Sequence, residues 1–357
     1  MTSLAFINHD PQDAGPQYLE DLATGYWFSE VLFHAVEMEI FTFLEPDGKP
    51  LEEIAAKFNL SAGAIKRFLQ ALGAMGLINC QGSNCCNTKM SSKYLVLHSR
   101  YYQGDSILWR KQLTASWQGL SKCLRKGGRV DFGSDQPDQR RDRIRKYIKA
   151  MDRVARTKVE ELLAIFEGLN MEGEILDVGA GSGAVAAGFL EKFTAMKATL
   201  MDLPEVLEYT RELMASRQWG GRIDYCEANV LETWPVDKES YYLVILSNII
   251  HAYSEAEAAV LLDRAAECLK PGGLLLIHDF FLEHYPLKAA LFDLNMFINT
   301  YNGKVFSSKW AIKELDGLKL YATGLIPLAT DTAVILAAKD KKILTRLSLD
   351  RSTFSSE

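Results

Sequence analysis

The chain has 357 residues, of which 48% are hydrophobic and 24% are charged, which is typical of a globular protein large enough for two or three domains. Its formal net charge of -6 gives no general attraction to nucleic acid or to an anionic membrane surface. No run approaches the roughly 20 apolar residues of a membrane span, and the polar N-terminus lacks the apolar core of a secretion signal. We therefore predict a cytoplasmic protein without nucleic-acid or membrane partners.

The six cysteines are scattered, and none forms a C-x-x-C pair. This spacing predicts neither a disulfide framework nor a zinc site. His278 and His284 lie near Asp279, but their spacing is not that of a metal-ligand motif, so we predict no metal.

The N-terminal third is predicted to be mainly helical. After a loose arm, the apolar residues from Tyr18 to Leu44 have helical spacing, and their wide stripe favours packing against a large partner such as a second subunit. Residues 51–78 have the pattern of a helix-turn-helix with Ser61 as an N-cap, and a two-stranded wing follows to Lys93. Since basic residues are few, a packing and dimerisation role is favoured over DNA binding.

The segment from Tyr101 to Leu124 again has helical spacing and carries Trp109 and Trp117. A polar loop over residues 127–140 precedes a long helix over residues 141–169. The basic run at the start of this helix, residues 140–146, is predicted to be a solvated face. A domain boundary is expected within or just after the helix.

A short apolar strand carrying Asp177 leads into the glycine-dense turn Gly179–Gly183, and small residues then begin a helix. This pattern predicts a buried strand, a tight turn and a helix whose N-terminus faces a ligand. About one βαβ unit later, a second strand ends in Asp202, where an acid can bind both hydroxyls of a ribose.

Two nucleotide ligands fit this pattern. The glycines satisfy the relaxed dinucleotide fingerprint, with Asp202 at about the right distance. A carboxylate at Asp177 would repel a pyrophosphate, however, whereas it suits the ammonium and sulfonium groups of S-adenosylmethionine. The methyl donor is therefore favoured over NAD. A glycine turn that only packs the sheet remains the alternative without a ligand.

From residue 174 onward, predicted strands alternate with helices, which indicates a parallel doubly wound sheet with right-handed crossovers. Pro271-Gly272-Gly273 is interpreted as a turn between a helix and a strand. Two strand-like runs near the C-terminus predict a hairpin that adds an antiparallel edge strand. The five predicted parallel strands cover residues 174–178, 197–202, 222–227, 241–247 and 273–280.

From about Gly25 to Lys339 the chain resembles the dimeric small-molecule O-methyltransferases, a branch of the class I S-adenosylmethionine-dependent methyltransferases. The resemblance rests on the N-terminal winged helix, the Met151 helix, and four motifs of the C-terminal half: Leu176 to Gly183, Asp202-Leu203-Pro204, Leu246 to His251, and Leu269 to Gly273. It implies a Rossmann-like α/β catalytic domain over residues 171–341, a winged-helix dimerisation domain over residues 1–100, a helical linker over residues 101–170, and a tail over residues 342–357.

The resemblance also implies a set of donor contacts. Ser247 replaces a residue that often closes over the donor, and Asn229 replaces an acid beside the adenine. The amide carbonyl of Asn229 can still accept a hydrogen bond from the adenine amino group. The implied donor-binding residues are Asp177, Gly179, Gly181, Asp202, Leu203, Asn229, Val230 and Ser247.

For catalysis, the resemblance implies His251 as the general base and Asp279 as the acid that orients it. We predict an acceptor pocket formed by Met151, Trp109, Met296 and Asn299, and the aromatic residues in these segments favour a flat, largely apolar acceptor. Ala252-Tyr253 and Val305 depart from the family pattern, and at Val305 a second carboxylate is absent. The sequence thus predicts O-methyl transfer to a small, aromatic hydroxyl compound. Transfer to carbon, nitrogen or sulfur, non-methylating chemistry, and a DNA-binding regulator remain as alternatives.

Overall fold

The computed structural model describes residues 15–130, 137–215 and 219–349. It separates into two compact units, residues 1–112 and 113–357. Most of the predicted N-terminal arm, the middle of the polar loop before the long helix and the end of the C-terminal tail lie outside the described residues.

The first unit is mainly helical, as predicted. The single predicted stripe from Tyr18 to Leu44 is divided into three helices, because the chain turns at Gly25 and again at Glu39, which adopts a left-handed φ of 55°. The helices are α1 (Pro16–Thr24), α2 (Tyr26–Glu37), α3 (Ile40–Phe43), α4 (Leu51–Lys57), α5 (Ala62–Ala74), α6 (Lys89–Tyr94) and the start of α7 (Gly104–Gln118).

Helices α4 and α5 form the expected helix pair. Ser61 is the N-cap of α5, since its side chain accepts a hydrogen bond from the Ala64 amide, and this capping prediction is confirmed. A small antiparallel sheet follows, in the order β1-β3-β2, and it contains the predicted hairpin. Its strands are β1 (Lys49–Pro50), β2 (Ile78–Gln81) and β3 (Asn84–Asn87).

A disulfide joins Cys80 to Cys85, so the prediction that the cysteines form no disulfide was wrong. The two residues are direct partners in the β2–β3 register, with Cα atoms 4.0 Å apart. Sequence spacing did not reveal this pairing because it depends on how the hairpin aligns its two strands.

The second unit is built on an eight-stranded sheet with the order β10-β11-β8-β7-β4-β5-β6, and β9 also pairs with β11. Strands β4 to β8 run parallel to one another, and β11 runs antiparallel to β8, as predicted. The strands are β4 (Gly173–Val178), β5 (Met196–Asp202), β6 (Ile223–Glu227), β7 (Tyr241–Ser247), β8 (Leu269–Asp279), β9 (Tyr321–Ala322), β10 (Ile326–Pro327) and β11 (Ala333–Ala338).

Helices cover both faces of this sheet, so the central strands are apolar on both sides. Alternate residues face opposite layers: Ile175 packs with residues of the long helix α9, while Leu176 packs with residues of the opposite layer. The helices are α8 (Leu120–Lys126), α9 (Pro137–Ala164), α10 (Ala184–Lys192), α11 (Pro204–Ala215), α12 (Glu255–Cys268), α13 (Pro286–Asn299), α14 (Ser308–Gly317) and α15 (Lys341–Leu349).

The long helix α9 runs parallel to α10 and α11. Near its C-terminal end, Lys192 of α10 bonds the Leu163 carbonyl and pairs with Glu167. The basic run at the start of α9 is exposed to solvent, as predicted, and three of its arginines also form ion pairs with glutamates of α11. These pairs are Arg140–Glu205, Arg141–Glu208 and Arg145–Glu212, at 3.0, 3.3 and 3.3 Å.

The interpretation of Pro271-Gly272-Gly273 as a turn was wrong, because these residues lie inside β8. The register with β7 passes from Tyr241–Leu269 directly to Leu243–Leu274, so β8 has extra residues at an irregularity. A bulge of this kind accommodates a proline, which cannot donate to the ladder.

No helix among the described residues is both long enough and apolar enough to cross a membrane.

Candidate active site

The site lies at the carboxyl edge of the parallel strands, where the strand order reverses. From β4 the chain builds β5 and β6 on one side, and it then returns to place β7 and β8 on the other side. In doubly wound sheets, ligands bind in the crevice at such a switch point. The strands that meet there carry most of the predicted site residues at their ends.

The glycine turn follows β4 directly. Gly179 has a φ of +65°, and a Cβ at this residue would lie 2.5 Å from Cδ1 of Ile249. A side chain is therefore disfavoured by both backbone conformation and space. The Gly179 amide donates to the Met201 carbonyl at 2.8 Å. Gly183 is the N-cap of α10 and has a left-handed φ of 75°.

Asp177 lies beneath this turn and is only 2% exposed. Its Oδ2 accepts a hydrogen bond from the Ala186 amide at 3.3 Å, which ties β4 to the start of α10. Burial raises the pKa of Asp177 to about 7, and the charge of Asp202 adds to the rise. A cation in the crevice would therefore stabilise the ionised carboxylate.

Asp202 ends β5 beside the turn. Its Oδ2 accepts from the Gly181 amide at 2.8 Å and its Oδ1 accepts from the Leu203 amide at 2.7 Å. Burial raises the pKa of this carboxyl group, against the effect of the two amides. The side chain thus fixes the glycine turn relative to Leu203, which is 39% exposed.

Asn229 and Val230 follow β6. The Asn229 carbonyl oxygen accepts from the Leu231 amide at 3.1 Å, and its amide group donates to Glu232 at 3.2 Å. The oxygen that we expected to face an adenine amino group thus accepts one hydrogen bond within the loop, and its second lone pair remains available. The Val230 carbonyl accepts from Arg264, which holds the loop against α12.

His251 and Asp279 are in direct contact. His251 lies in a short 3-10 helix after β7, and its Nδ1 is 2.5 Å from Oδ1 of Asp279 at the end of β8. Asp279 is completely buried and also accepts from the Phe280 amide at 2.8 Å. An ionised carboxylate can only accept, so the proton of the neutral imidazole lies on Nδ1 and Nε2 is left as a base.

Sequence reasoning missed two aromatic residues beside this dyad. The rings of Phe280 and Phe292 stack with centroids 3.8 Å apart, and their centroids lie 5.9 and 5.1 Å from that of His251. Phe280 directly follows Asp279 in the sequence, which was an available signal. Phe292 lies on α13 and could be paired with it only through the fold.

Three of the four residues predicted for the acceptor pocket belong to the second unit, and one belongs to the first. Met151 on α9, Met296 on α13 and Asn299 at the end of α13 belong to the second unit, whereas Trp109 belongs to the first. Asn299 donates to Oδ1 of Asn295 at 3.0 Å, and Trp117 donates to the same atom at 3.1 Å. The Asn299 amide group is thus part of an internal network.

Val305, where the second family carboxylate is absent, is 1% exposed, and its amide donates to Asp293 at 2.7 Å. Ser247, at the end of β7, has its Oγ 2.8 Å from Nδ1 of His278. No group of histidine, cysteine and acidic side chains in the described part of the chain could hold a metal ion.

Similar proteins and structures share this architecture. The 3-hydroxy-5-methyl-1-naphthoate 3-O-methyltransferase of Streptomyces sahachiroi is 26% identical over 300 residues, which cover 82% of this chain and 86% of that protein. Human acetylserotonin O-methyltransferase is 26% identical over 309 residues, which cover 81% and 88% of the two chains.

Solved structures agree in fold. Human N-acetylserotonin methyltransferase in complex with SAM has a TM-score of 0.79 at 23% identity, and the match covers 93% of this chain and 100% of that one. PigF with SAH has a TM-score of 0.80 at 19% identity, with coverages of 91% and 100%.

Two family models match the sequence. Residues 20–97 match the O-methyltransferase dimerisation domain, and residues 122–315 match the O-methyltransferase domain. The second match alone spans more than half of the chain, which therefore belongs to the O-methyltransferase family.

Proposed function

We propose that this protein transfers a methyl group from S-adenosylmethionine to a hydroxyl group of a small aromatic molecule, with His251 as the general base. The observation that carries the proposal is the His251–Asp279 contact at the same sheet edge as the glycine turn, in a chain of the O-methyltransferase family. The names of the relatives agree with it, since they act on a hydroxynaphthoate and on acetylserotonin.

The donor site is assigned to the residues around the glycine turn. Bound S-adenosylmethionine supplies an activated methyl group. The absence of side chains at Gly179 and Gly181 allows its close approach, although their amides already donate to Met201 and Asp202. Asp202 is the proposed acceptor for ribose hydroxyls. Asp177 beneath the turn favours a cationic ligand over a pyrophosphate because its ionised form is otherwise disfavoured by burial. Leu203, Asn229, Val230 and Ser247 complete the proposed donor site.

The dyad handles the proton of the acceptor. Asp279 holds the Nδ1 proton of His251, so Nε2 can take the proton from the acceptor hydroxyl as its oxygen becomes nucleophilic. The buried carboxylate then stabilises the imidazolium that forms. General base catalysis of this kind contributes about 10²- to 10⁴-fold to the rate.

The acceptor side is assigned to the stacked pair Phe280 and Phe292, together with Met151 and Met296. Both rings meet the imidazole edge to face. Phe280 is only 7% exposed, so the half-buried Phe292 is the ring that can form an apolar wall beside the base. A flat apolar wall with one polar group matches a hydroxylated aromatic ring. Asn299 stays in the proposed pocket as a sequence-based assignment.

The test combines binding and product analysis. Calorimetry of the purified protein with S-adenosylhomocysteine and with NAD should give uptake of the first only. A panel of hydroxylated naphthoates and indoles, incubated with methyl-labelled donor, should give an O-methylated product by mass spectrometry. Binding of NAD without S-adenosylhomocysteine would refute the donor assignment, and labelling on carbon, nitrogen or sulfur would refute the hydroxyl acceptor.

We also propose that the protein is a cytoplasmic homodimer formed through its N-terminal unit, in which the winged-helix segment packs rather than reads DNA. The match to a dimerisation domain supports this, as do the large apolar side chains that α1 and α2 expose in the single chain. Leu19, Tyr26 and Trp27 are 66%, 63% and 57% exposed. Light scattering of wild-type protein and of a Tyr26→Asp/Trp27→Asp variant should give the dimer mass for the first only.

A further inference from the structure

A buried chain of hydrogen bonds runs behind the proposed donor site. Nδ1 of His278 is 2.8 Å from Oγ of Ser247, and Nε2 of His278 is 2.8 Å from Oγ1 of Thr332. His278 is 1% exposed and Thr332 is fully buried, whereas Ser247 is only partly buried. The chain therefore leads from the interior to a hydroxyl group at the carboxyl edge of β7.

The neighbours of His278 determine the direction of these hydrogen bonds. The Asn248 side-chain amide nitrogen is 3.5 Å from the same Nδ1, and an amide nitrogen can only donate. Nδ1 is therefore an acceptor, and the single proton of a neutral imidazole lies on Nε2, from which it is donated to Thr332. It follows that the Ser247 hydroxyl donates its proton to Nδ1.

The surroundings also keep this imidazole neutral. Burial lowers the pKa of His278 well below its ordinary value, and the positive charge of Lys158 and the nearby His251 act in the same direction. Lys158 is held in place by Asp331 at 3.0 Å. A second proton on His278 would make Nδ1 a donor and reverse the Ser247 hydroxyl, so these groups protect the arrangement.

A hydroxyl group whose proton points inward presents only its oxygen lone pairs outward. Ser247 follows Leu246, which pairs with Val178 of β4, so its Oγ lies level with Gly179, the first residue of the glycine turn. By strand alternation it is also on the same face of the sheet as Asp177. This corner of the crevice thus offers acceptors, which suit a ligand group that is rich in hydrogen-bond donors.

We propose that His278 is a positioning residue that fixes the Ser247 hydroxyl as a hydrogen-bond acceptor for the amino group of the methyl donor. The proposal rests on the proposed function, because it concerns the same donor site. If His278 orients Ser247 in this way, the site selects ligands that have an amino group, because that group donates a hydrogen bond to Oγ of Ser247.

Two substitutions test the roles of Nδ1 and Nε2 of His278 separately. In His278→Asn the shorter side chain places its amide oxygen near the former Nδ1, where it can still accept from Ser247. In His278→Gln the longer side chain reaches toward Thr332, and the Ser247 hydroxyl is free to rotate. The measurement is calorimetric affinity for S-adenosylhomocysteine and for its analogue that lacks only the amino group.

We expect wild-type protein and His278→Asn to bind S-adenosylhomocysteine about tenfold or more tightly than the desamino analogue, as one hydrogen bond to a charged group requires. His278→Gln should lose most of this preference while its affinity for the analogue stays the same. Ser247→Ala should lose the preference too, and His278→Gln should then have no further effect. Ser247→Ala also keeps the test valid if His278→Gln does not fold.

Equal affinity of the wild-type protein for both compounds would overturn the proposal, as would a full preference in His278→Gln. An equal loss in His278→Asn and His278→Gln, together with equally lowered melting temperatures, would show that His278 is only structural and would also overturn it. If wild-type protein bound neither compound, the proposed function itself would fail.

Discussion

The sharpest prediction concerns Asp279→Asn, which removes one charge and leaves the shape of the site unchanged. Oδ1 of Asp279 accepts from both Nδ1 of His251 and the Phe280 amide. The oxygen of an asparagine would stay at this position because both neighbours are donors. The His251 tautomer should therefore be kept, while the charge opposite the imidazolium is lost together with the weak 3.4 Å hydrogen bond that Oδ2 accepts from the His251 amide.

The expected loss follows from this geometry. Two unit charges about 4 Å apart interact by about 4 kcal/mol at an effective dielectric constant of about 20. Solvent screening is small, since the side chains of His251 and Asp279 are 12% and 0% exposed. This energy is lost only when the imidazolium forms, so it lowers kcat by up to about 10³-fold and leaves donor binding unchanged.

The assay measures kcat with a hydroxylated naphthoate or indole that the wild-type protein methylates. It also measures the calorimetric affinity for S-adenosylhomocysteine. Asp224→Asn is the matched control, because Asp224 is exposed on β6 and should keep wild-type kcat. A kcat of Asp279→Asn within a few-fold of wild type, in folded protein, would refute the role of the dyad. Reduced donor affinity with unchanged kcat would assign Asp279 to the donor site instead.

Three further predictions concern stability and can be read from thermal melts. The pKa of Asp177 is about 7 in the folded chain against 3.8 ordinarily, so the folded state binds the extra proton and wild-type stability falls as pH rises from about 4 to 7. Asp177→Asn should therefore be more stable than wild type at pH 8, by up to about 4 kcal/mol, with no difference near pH 4; a gain that is independent of pH would contradict this. Gly188→Ala would place a Cβ 2.2 Å from Cγ1 of Val159 and should cost about 1–3 kcal/mol, whereas Gly324→Ala, with nothing within 4 Å, should cost little. Arg141→Glu should lower the free energy of unfolding by less than about 1 kcal/mol, because the Arg141–Glu208 pair is exposed. Adding Glu208→Arg should restore stability, and both effects should fade in about 1 M salt. Failure of the second substitution to restore stability would contradict a contribution from this pair.

Much of the fold could be predicted because its signals are local. The parallel strands are short apolar runs between helical patterns, and the turn after Val178 needs glycines whatever surrounds it. The Ser61 cap was readable for the same reason, because it depends on one side chain and an amide three residues away. The errors at Pro271 and at Cys80–Cys85 both depend on strand register, which is set by the neighbouring strand.

The candidate site also has features that the sequence predicts and features that depend on the fold. The resemblance singled out His251 and Asp279 from their positions after two strands, although 28 residues separate them. The hydrogen bonds of Asn229 and Asn299 are local, since their partners lie two to four residues away. The partner of Ser247 could not be read from the sequence, because His278 is 31 residues away and only the folded chain brings it close.

The sequence by itself determined the order of strands and helices, the glycine turn and the acids that follow β4 and β5, because backbone conformation and burial act within a few residues. Only the tertiary structure decided that β7 and β8 end side by side. That adjacency joins His251 to Asp279 and Ser247 to His278, since hydrogen bonds form between atoms within about 3 Å, whatever their separation along the chain.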